Sequence, residues 1–95
     1  MRISWDPKKS AANLAARGFD FAFAALIFEG STLEAPDRRR AYGEDRVIAI
    51  GVADVFVLTV VYTDRPTREG PIRRIISARR SNRRERKAYQ ERPQS

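Results

Sequence analysis

The stretch Arg46-Val47-Ile48-Ala49-Ile50-Gly51-Val52-Ala53-Asp54-Val55-Phe56-Val57-Leu58-Thr59-Val60-Val61-Tyr62-Thr63 decides the fold. Its halves, Arg46 to Val52 and Val55 to Thr63, are rich in β-branched residues and are parted only by the turn Ala53-Asp54. β-Branched side chains suit a pleated, half-buried surface, and so short a link returns the second half alongside the first as an antiparallel hairpin. The next link, Asp64 to Pro71, holds two prolines and a glycine and delivers the chain to Ile72 to Ala78 as a third strand. The three strands read as a meander.

Upstream, Arg2-Ile3-Ser4-Trp5 alternates and reads as a short first strand. Asp6-Pro7 then gives an N-cap followed by proline at the first helical position, where a missing N–H costs nothing. The helix that starts there carries Ala11, Ala12, Leu14 and Ala15 on one side and ends at Gly18. Asp20 caps a second helix, Phe21 to Phe28, with no polar face, so it must be covered on more than one side. Gly30-Ser31 and Pro36 to Gly43 read as polar loop. Asn82, with Glu85 three residues on, can cap a last helix running to about Tyr89, and Ser81 is an equally good capping residue. That helix is nearly polar all round and needs a partner, RNA or protein, to be held firmly. The fold class is α+β: a short N-terminal strand, two helices, a three-stranded antiparallel meander and a basic C-terminal helix, with one sheet face left for a ligand. Residues 1–92 form a single domain, and the tail 93–95 should fray.

The chain of 95 residues carries 19 Lys and Arg against 12 Asp and Glu, a net charge of +7. All of that excess sits in the last quarter, because residues 1 to 72 hold ten charges of each sign. A localised cationic face draws polyanions by neutralising phosphates and releasing counterions, so nucleic acid is the expected partner. The bland alternative is an unfolded basic tail. It is countered by Arg73, Arg74, Arg79 and Arg80, which flank the third strand and are therefore held by a scaffold. There is no cysteine and no histidine. Disulfides, thiolate or imidazole metal sites and imidazole acid–base catalysis are thereby excluded. No cofactor and no metal are expected. No run approaches the ~18 apolar residues that cross a bilayer, and Met1 to Asp6 has no secretion-signal character, so a cytoplasmic protein without a membrane partner is expected.

Arginine suits a phosphodiester, because its planar fork gives two parallel hydrogen bonds and stays cationic. Several arginines on one sheet face would stabilise the charge that develops when a 2′-hydroxyl attacks the adjacent phosphate, without a metal. The candidate catalytic set is Arg79, Arg80, Arg46, Glu44, Lys8 and Tyr62. Glu44 or Lys8 would be the base, and an arginine, a lysine or Tyr62 the acid. Arg73, Arg74, Arg83, Arg84 and Lys87 are the candidate RNA contacts. Arg73 and Arg74 differ in parity, so they leave the sheet on opposite faces. Tyr42 and Tyr62 are the stacking candidates. No glycine-rich phosphate loop is present.

Trp5-Asp6-Pro7-Lys8-Lys9, Asn13-Leu14, Arg17-Gly18 and the Phe-rich second helix resemble the opening of the BrnT toxins, ribonucleases of the RelE-like group of type II toxin–antitoxin systems. Glu44-Asp45-Arg46, Val61-Tyr62-Thr63 and Arg73-Arg74-Ile75-Ile76-Ser77-Ala78-Arg79-Arg80, followed by Arg83-Arg84-Glu85-Arg86-Lys87 and Tyr89, extend the resemblance along nearly the whole chain. It implies a RelE-like fold and a metal-independent endoribonuclease that inhibits translation. It also implies neutralisation by a cognate, BrnA-like antitoxin in a heterotetramer. The family commonly has Lys-His-Gly at the end of the first helix, where this chain has Arg17. The alternatives are a non-catalytic RNA- or DNA-binding module using the same basic face, and an interaction domain whose arginines serve an acidic protein.

Overall fold

The β-branched runs form a sheet, with more strands than the pattern predicts. The computed structural model describes residues 1–39, 41 and 43–93, so Tyr42, Gln94 and Ser95 lie outside the described residues. Strands β1 (Arg2–Trp5), β2 (Leu33–Pro36), β3 (Val47–Ala53), β4 (Phe56–Arg65) and β5 (Ile72–Arg80) form one sheet in the order β1-β5-β4-β3-β2. β1 runs parallel to β5 and every other pair is antiparallel, so the meander β3-β4-β5 sits inside a mixed five-stranded sheet. Helices α1 (Pro7–Arg17), α2 (Phe21–Ala24) and α3 (Arg83–Gln90) and a 3-10 segment (Ala25–Glu29) complete the α+β fold. No single helix among the described residues is long and apolar enough to cross a membrane.

Four expectations need correction. β2 falls within the segment between the two predicted loops. Leu33 is half-buried and the other three residues are exposed, so edge pairing with β3, not side-chain burial, makes it a strand. The second helix is not continuous: it tightens at Ala25 into the 3-10 segment. Its buried residues Phe21, Ala24 and Ile27 are spaced by three, the repeat of a 3-10 helix, which stacks every third side chain on one line. Gly51 of β3 admits Ile27, since a Cβ there would stand 2.9 Å from the Ile27 Cβ.

The third correction concerns α1. Its caps are as predicted: Asp6 accepts from the Lys8 backbone N–H at 2.9 Å, and Gly18 closes the helix at φ 83°. Its apolar side, however, faces water, with Ala11, Ala12, Leu14 and Ala15 all exposed. Alanines offer little area to bury, so two polar side chains choose the inward face. Ser10 accepts the Phe21 N–H at 3.0 Å, and the Asn13 amide donates to the Phe19 carbonyl at 2.9 Å. The fourth concerns α3, which docks without a partner. The capping box of Asn82 and Glu85 forms, Tyr89 is buried, and its hydroxyl donates to the Ser31 carbonyl at 2.8 Å.

The core lies between the sheet and α2 with its 3-10 extension: Phe19, Phe21, Ala24 and Ile27 pack on Ala49, Ala53, Leu58, Val60, Tyr62, Ile75 and Ala78. β5 extends through Arg79 and Arg80, two residues beyond the predicted end. Its register against β4 shifts between Tyr62↔Ile75 and Val61↔Ser77, which leaves Ile76 as a bulge. Arg73 and Ile75 therefore face the core side, whereas Arg74, Ser77 and Arg79 face the other side, and Ala78 and Arg80 return to the core side.

Candidate nucleic-acid interface

The sheet face opposite the core is built in rows by the strand register. Thr63 pairs with Arg74, Val61 with Ser77 and Thr59 with Arg79. On β3, Ile48 and Ile50 share this face, since Val47 and Ala49 pack on the core. By the same alternation Arg46 is aimed here, one step before Val47. α3 crosses the Thr59 end of the face, fixed by a 2.8 Å hydrogen bond between the Thr59 and Ser81 hydroxyls. Arg74 and Ser77 remain exposed beside it.

Arg79 is the most constrained cation on this face. Its Nη1 and Nη2 donate to Glu85 Oε1 and Oε2 at 2.6 and 2.9 Å, and Nη1 also reaches the Arg80 carbonyl at 3.4 Å. Glu85 thus grips the end of the guanidinium. The Nε–H and the outer Nη2–H point the same way and have no partner among the described residues, which is the edge that binds a phosphate through two parallel hydrogen bonds. The Arg79 side chain is 42 % exposed, so this edge can be reached. Arg79 holds the Glu85 carboxyl below its ordinary range. Partial burial works the other way, and the Asn82 backbone N–H adds to the lowering.

At the other end of the face, Arg46 Nε donates to Glu44 Oε1 at 3.1 Å. Both line a broad polar cleft of about 820 Å³ with Asp37, Arg38, Gly43 and Asp45. Asp37 is buried and holds Arg39 through a two-point contact at 2.8 Å each. Rows Thr59 and Thr63 are four residues apart, so the Arg79 and Arg46 ends are separated by roughly 13 Å of strand.

The structure brings Glu44, Arg46, Arg74 and Arg79 to this face and places Arg83, Arg84 and Lys87 exposed on α3 nearby. Arg73, Tyr62 and Arg80 belong to the core side. Arg73 makes a two-point contact with Asp64 at 2.8 and 2.9 Å, and its guanidinium lies 3.9 Å over the Tyr62 ring and 4.8 Å over Phe28. The Tyr62 hydroxyl donates to Glu34 Oε1 at 2.7 Å. Burial, and then that hydrogen bond, push the phenol well above its ordinary range, which makes it a weak acid. Arg80 stands over the Phe56 ring at 4.7 Å, and its guanidinium has no hydrogen bond or ion pair among the described residues. Lys8 is exposed in the first turn of α1.

Sequence reasoning missed Glu34, Asp64 and the second role of Glu85. Glu85 is legible as a cap, but its grip on Arg79 spans six residues across a strand-to-helix corner, where neither the helical nor the strand period applies. Among the described residues no three His, Cys, Asp or Glu side chains gather that could hold a metal ion.

Residues 5–85 match the family model described as ribonuclease toxin, BrnT, of type II toxin–antitoxin system. No curated protein matches the chain. The matched span runs from the end of β1 into the first turn of α3 and so contains the whole arginine-bearing face together with Glu85. The chain therefore belongs to the BrnT family of ribonuclease toxins of type II toxin–antitoxin systems.

Proposed function

We propose that this chain is a metal-independent endoribonuclease that cuts RNA on the sheet face carrying Glu44, Arg46, Arg74 and Arg79. Cleavage stops translation in the cytoplasm, and a cognate, BrnA-like antitoxin neutralises the toxin by covering the same arginines in a heterotetramer. The observation that carries this reading is the Arg79 fork: one edge fixed by Glu85, the other open and exposed. Fixing an arginine before substrate arrives removes the cost of ordering it in the transition state.

In the reaction, the 2′-oxygen forms a bond to the neighbouring phosphorus, and the bond to the 5′-oxygen breaks. The products are a 2′,3′-cyclic phosphate and a 5′-hydroxyl. Arg79 neutralises the charge on the non-bridging oxygens of the five-coordinate phosphorus, and Arg74 holds a flanking phosphate. Glu44, steadied by Arg46, takes the 2′-proton, and an arginine or lysine at the face supplies the proton to the leaving oxygen. Lys8 and Tyr62 are the second choices for base and acid.

The test uses purified protein and end-labelled RNA in EDTA. Cyclic-phosphate ends that disappear in Arg79→Ala support the reading. Cleavage that needs a divalent cation overturns it, as does RNA binding with a steep salt slope and no cleavage, which marks a binding module.

A further inference from the structure

A second feature lies on the core side of the sheet, where α1 ends. A cleft of about 320 Å³ opens there, lined by Leu14, Asp20, Phe23, Phe56, Leu58 and Arg80 among others. Its walls are aromatic and apolar. Phe23 and Phe56 meet edge to face with centroids 6.2 Å apart, and Phe19 backs Phe23 at 5.9 Å. Leu14 on the rim is half exposed. The rim also carries two polar groups of opposite sign. The Arg80 guanidinium rests over Phe56 and has no partner among the described residues. One Asp20 oxygen accepts the Phe23 N–H at 2.9 Å, and the other has no partner among the described residues.

We infer that this cleft is a subsite for one unstacked base of single-stranded RNA, an inference that rests on the reading of the chain as an RNA-cleaving protein. A flat π-system can lie against the aromatic floor that these rings form, beside the guanidinium, and the attached phosphate meets the same positive charge. The exocyclic amino group of adenine, cytosine or guanine would find its acceptor in Asp20. An apolar side chain of a protein partner would fill the walls but would leave both rim charges unused.

The topology connects this cleft to the arginine face. β1 pairs only with Ile72 to Ile75, so the Ser77 to Arg80 part of β5 has no strand on that side. Arg17 reaches this edge, its Nη1 donating to the Ala78 carbonyl at 3.4 Å. Arg79 and Arg80 are consecutive at this edge and point to opposite faces. A nucleotide chain passing over it sets a phosphate on Arg79 on one side and a neighbouring base into the cleft under Arg80 on the other.

The test measures binding of a labelled 2′-O-methyl oligonucleotide, in which the nucleophile is blocked, by fluorescence anisotropy, with a single abasic position moved along the strand. One position should cost wild-type protein about tenfold in affinity. That penalty should vanish in Arg80→Gln and in Phe56→Leu and persist in Phe56→Tyr. Arg79→Ala should weaken binding by the same factor with or without the base. The inference is overturned if no position shows a base-dependent loss. It also fails if Arg80→Gln and Phe56→Leu keep the full penalty but release a co-expressed antitoxin, because the cleft then serves the protein partner. Protein that cuts RNA yet shows either result loses only the subsite. Protein that neither binds nor cuts RNA loses the proposed function and the subsite together.

Discussion

Glu85 and Arg79 join the first turn of α3 to the last row of β5: the carboxylate meets both terminal nitrogens of the guanidinium, and its Oε1 also accepts the Asn82 N–H at 2.9 Å. One side chain thus closes the helix cap and aims the arginine. Under the proposed mechanism, stability and catalysis share a single contact.

Arg79→Ala should therefore reduce the rate of RNA cleavage by a hundredfold or more, about 3 kcal/mol of transition-state stabilisation. Arg80→Ala should act mainly on KM, because that guanidinium lies on the other side of the sheet. Initial rates on one RNA substrate separate the two. Equal and full activity in both variants would sink the assignment.

Glu85→Gln tests the same contact through pH. The folded-state carboxyl is held below its unfolded value, so folding favours the ionised form. Its stabilisation is present above the unfolded value, near pH 4.3, and is lost as pH falls through the lower folded value. The variant should be less stable than the parent at neutral pH by about 1 kcal/mol, a modest figure because the pair is partly solvated. The two denaturation curves should converge in acid. A constant difference down to pH 2 would show that the charge is not the cause.

Tyr62 predicts the opposite limb. Burial, then the bond to Glu34, raise its folded-state value, with Arg73 pulling the other way. The neutral phenol is favoured in the fold, so its contribution is intact below about pH 10 and declines as pH rises through the folded value. Tyr62→Phe should flatten the alkaline loss of stability while costing about 1 kcal/mol at neutral pH for the lost hydrogen bond. Ultraviolet difference titration of the folded parent against folded Tyr62→Phe should show no Tyr62 tyrosinate forming near pH 10.

Gly51→Ala should destabilise by about 1–3 kcal/mol. Its new methyl would stand 2.9 Å from Ile27 Cβ and 3.1 Å from Thr32 Cγ2, between two elements that cannot both retreat. Thermal melts measure this. A melting temperature equal to the parent's would mean that the 3-10 segment is free to shift.

The hairpin, the third strand and both caps around α1 were readable because each depends on neighbours in the chain: β-branched runs, Asp6 before Pro7, Gly18 after Arg17. Phe21, Ala24 and Ile27 resisted the helical period because the backbone tightens beneath them. β2 resisted because Leu33 to Pro36 form a strand only by virtue of the β3 edge. For the site, Arg74 and Arg79 were named as cations from charge alone. Parity alone parts Arg80 from Arg79, but the common face of Arg74 and Arg79, five residues apart, depends on the bulge at Ile76, which no local pattern records. Tyr62 looked like a proton donor in the sequence, and Glu34, 28 residues away, is what commits its hydroxyl.

The extra residue at Ile76 sets the phase of everything after it. Deleting Ile76 would make Ile75 and Ser77 consecutive and close the bulge, so Ser77 and Arg79 would keep the arginine face and Ala78 and Arg80 the core side. The strand thus has one residue to spare, and what it cannot tolerate is that residue joining a regular ladder, which would drive Arg79 into the apolar layer and Ala78 out of it. Protein lacking Ile76 should therefore still fold and still arrest growth, as should protein lacking one residue of the exposed 66–69 link, and loss of the cooperative melt on deleting Ile76 would show that the bend itself is required.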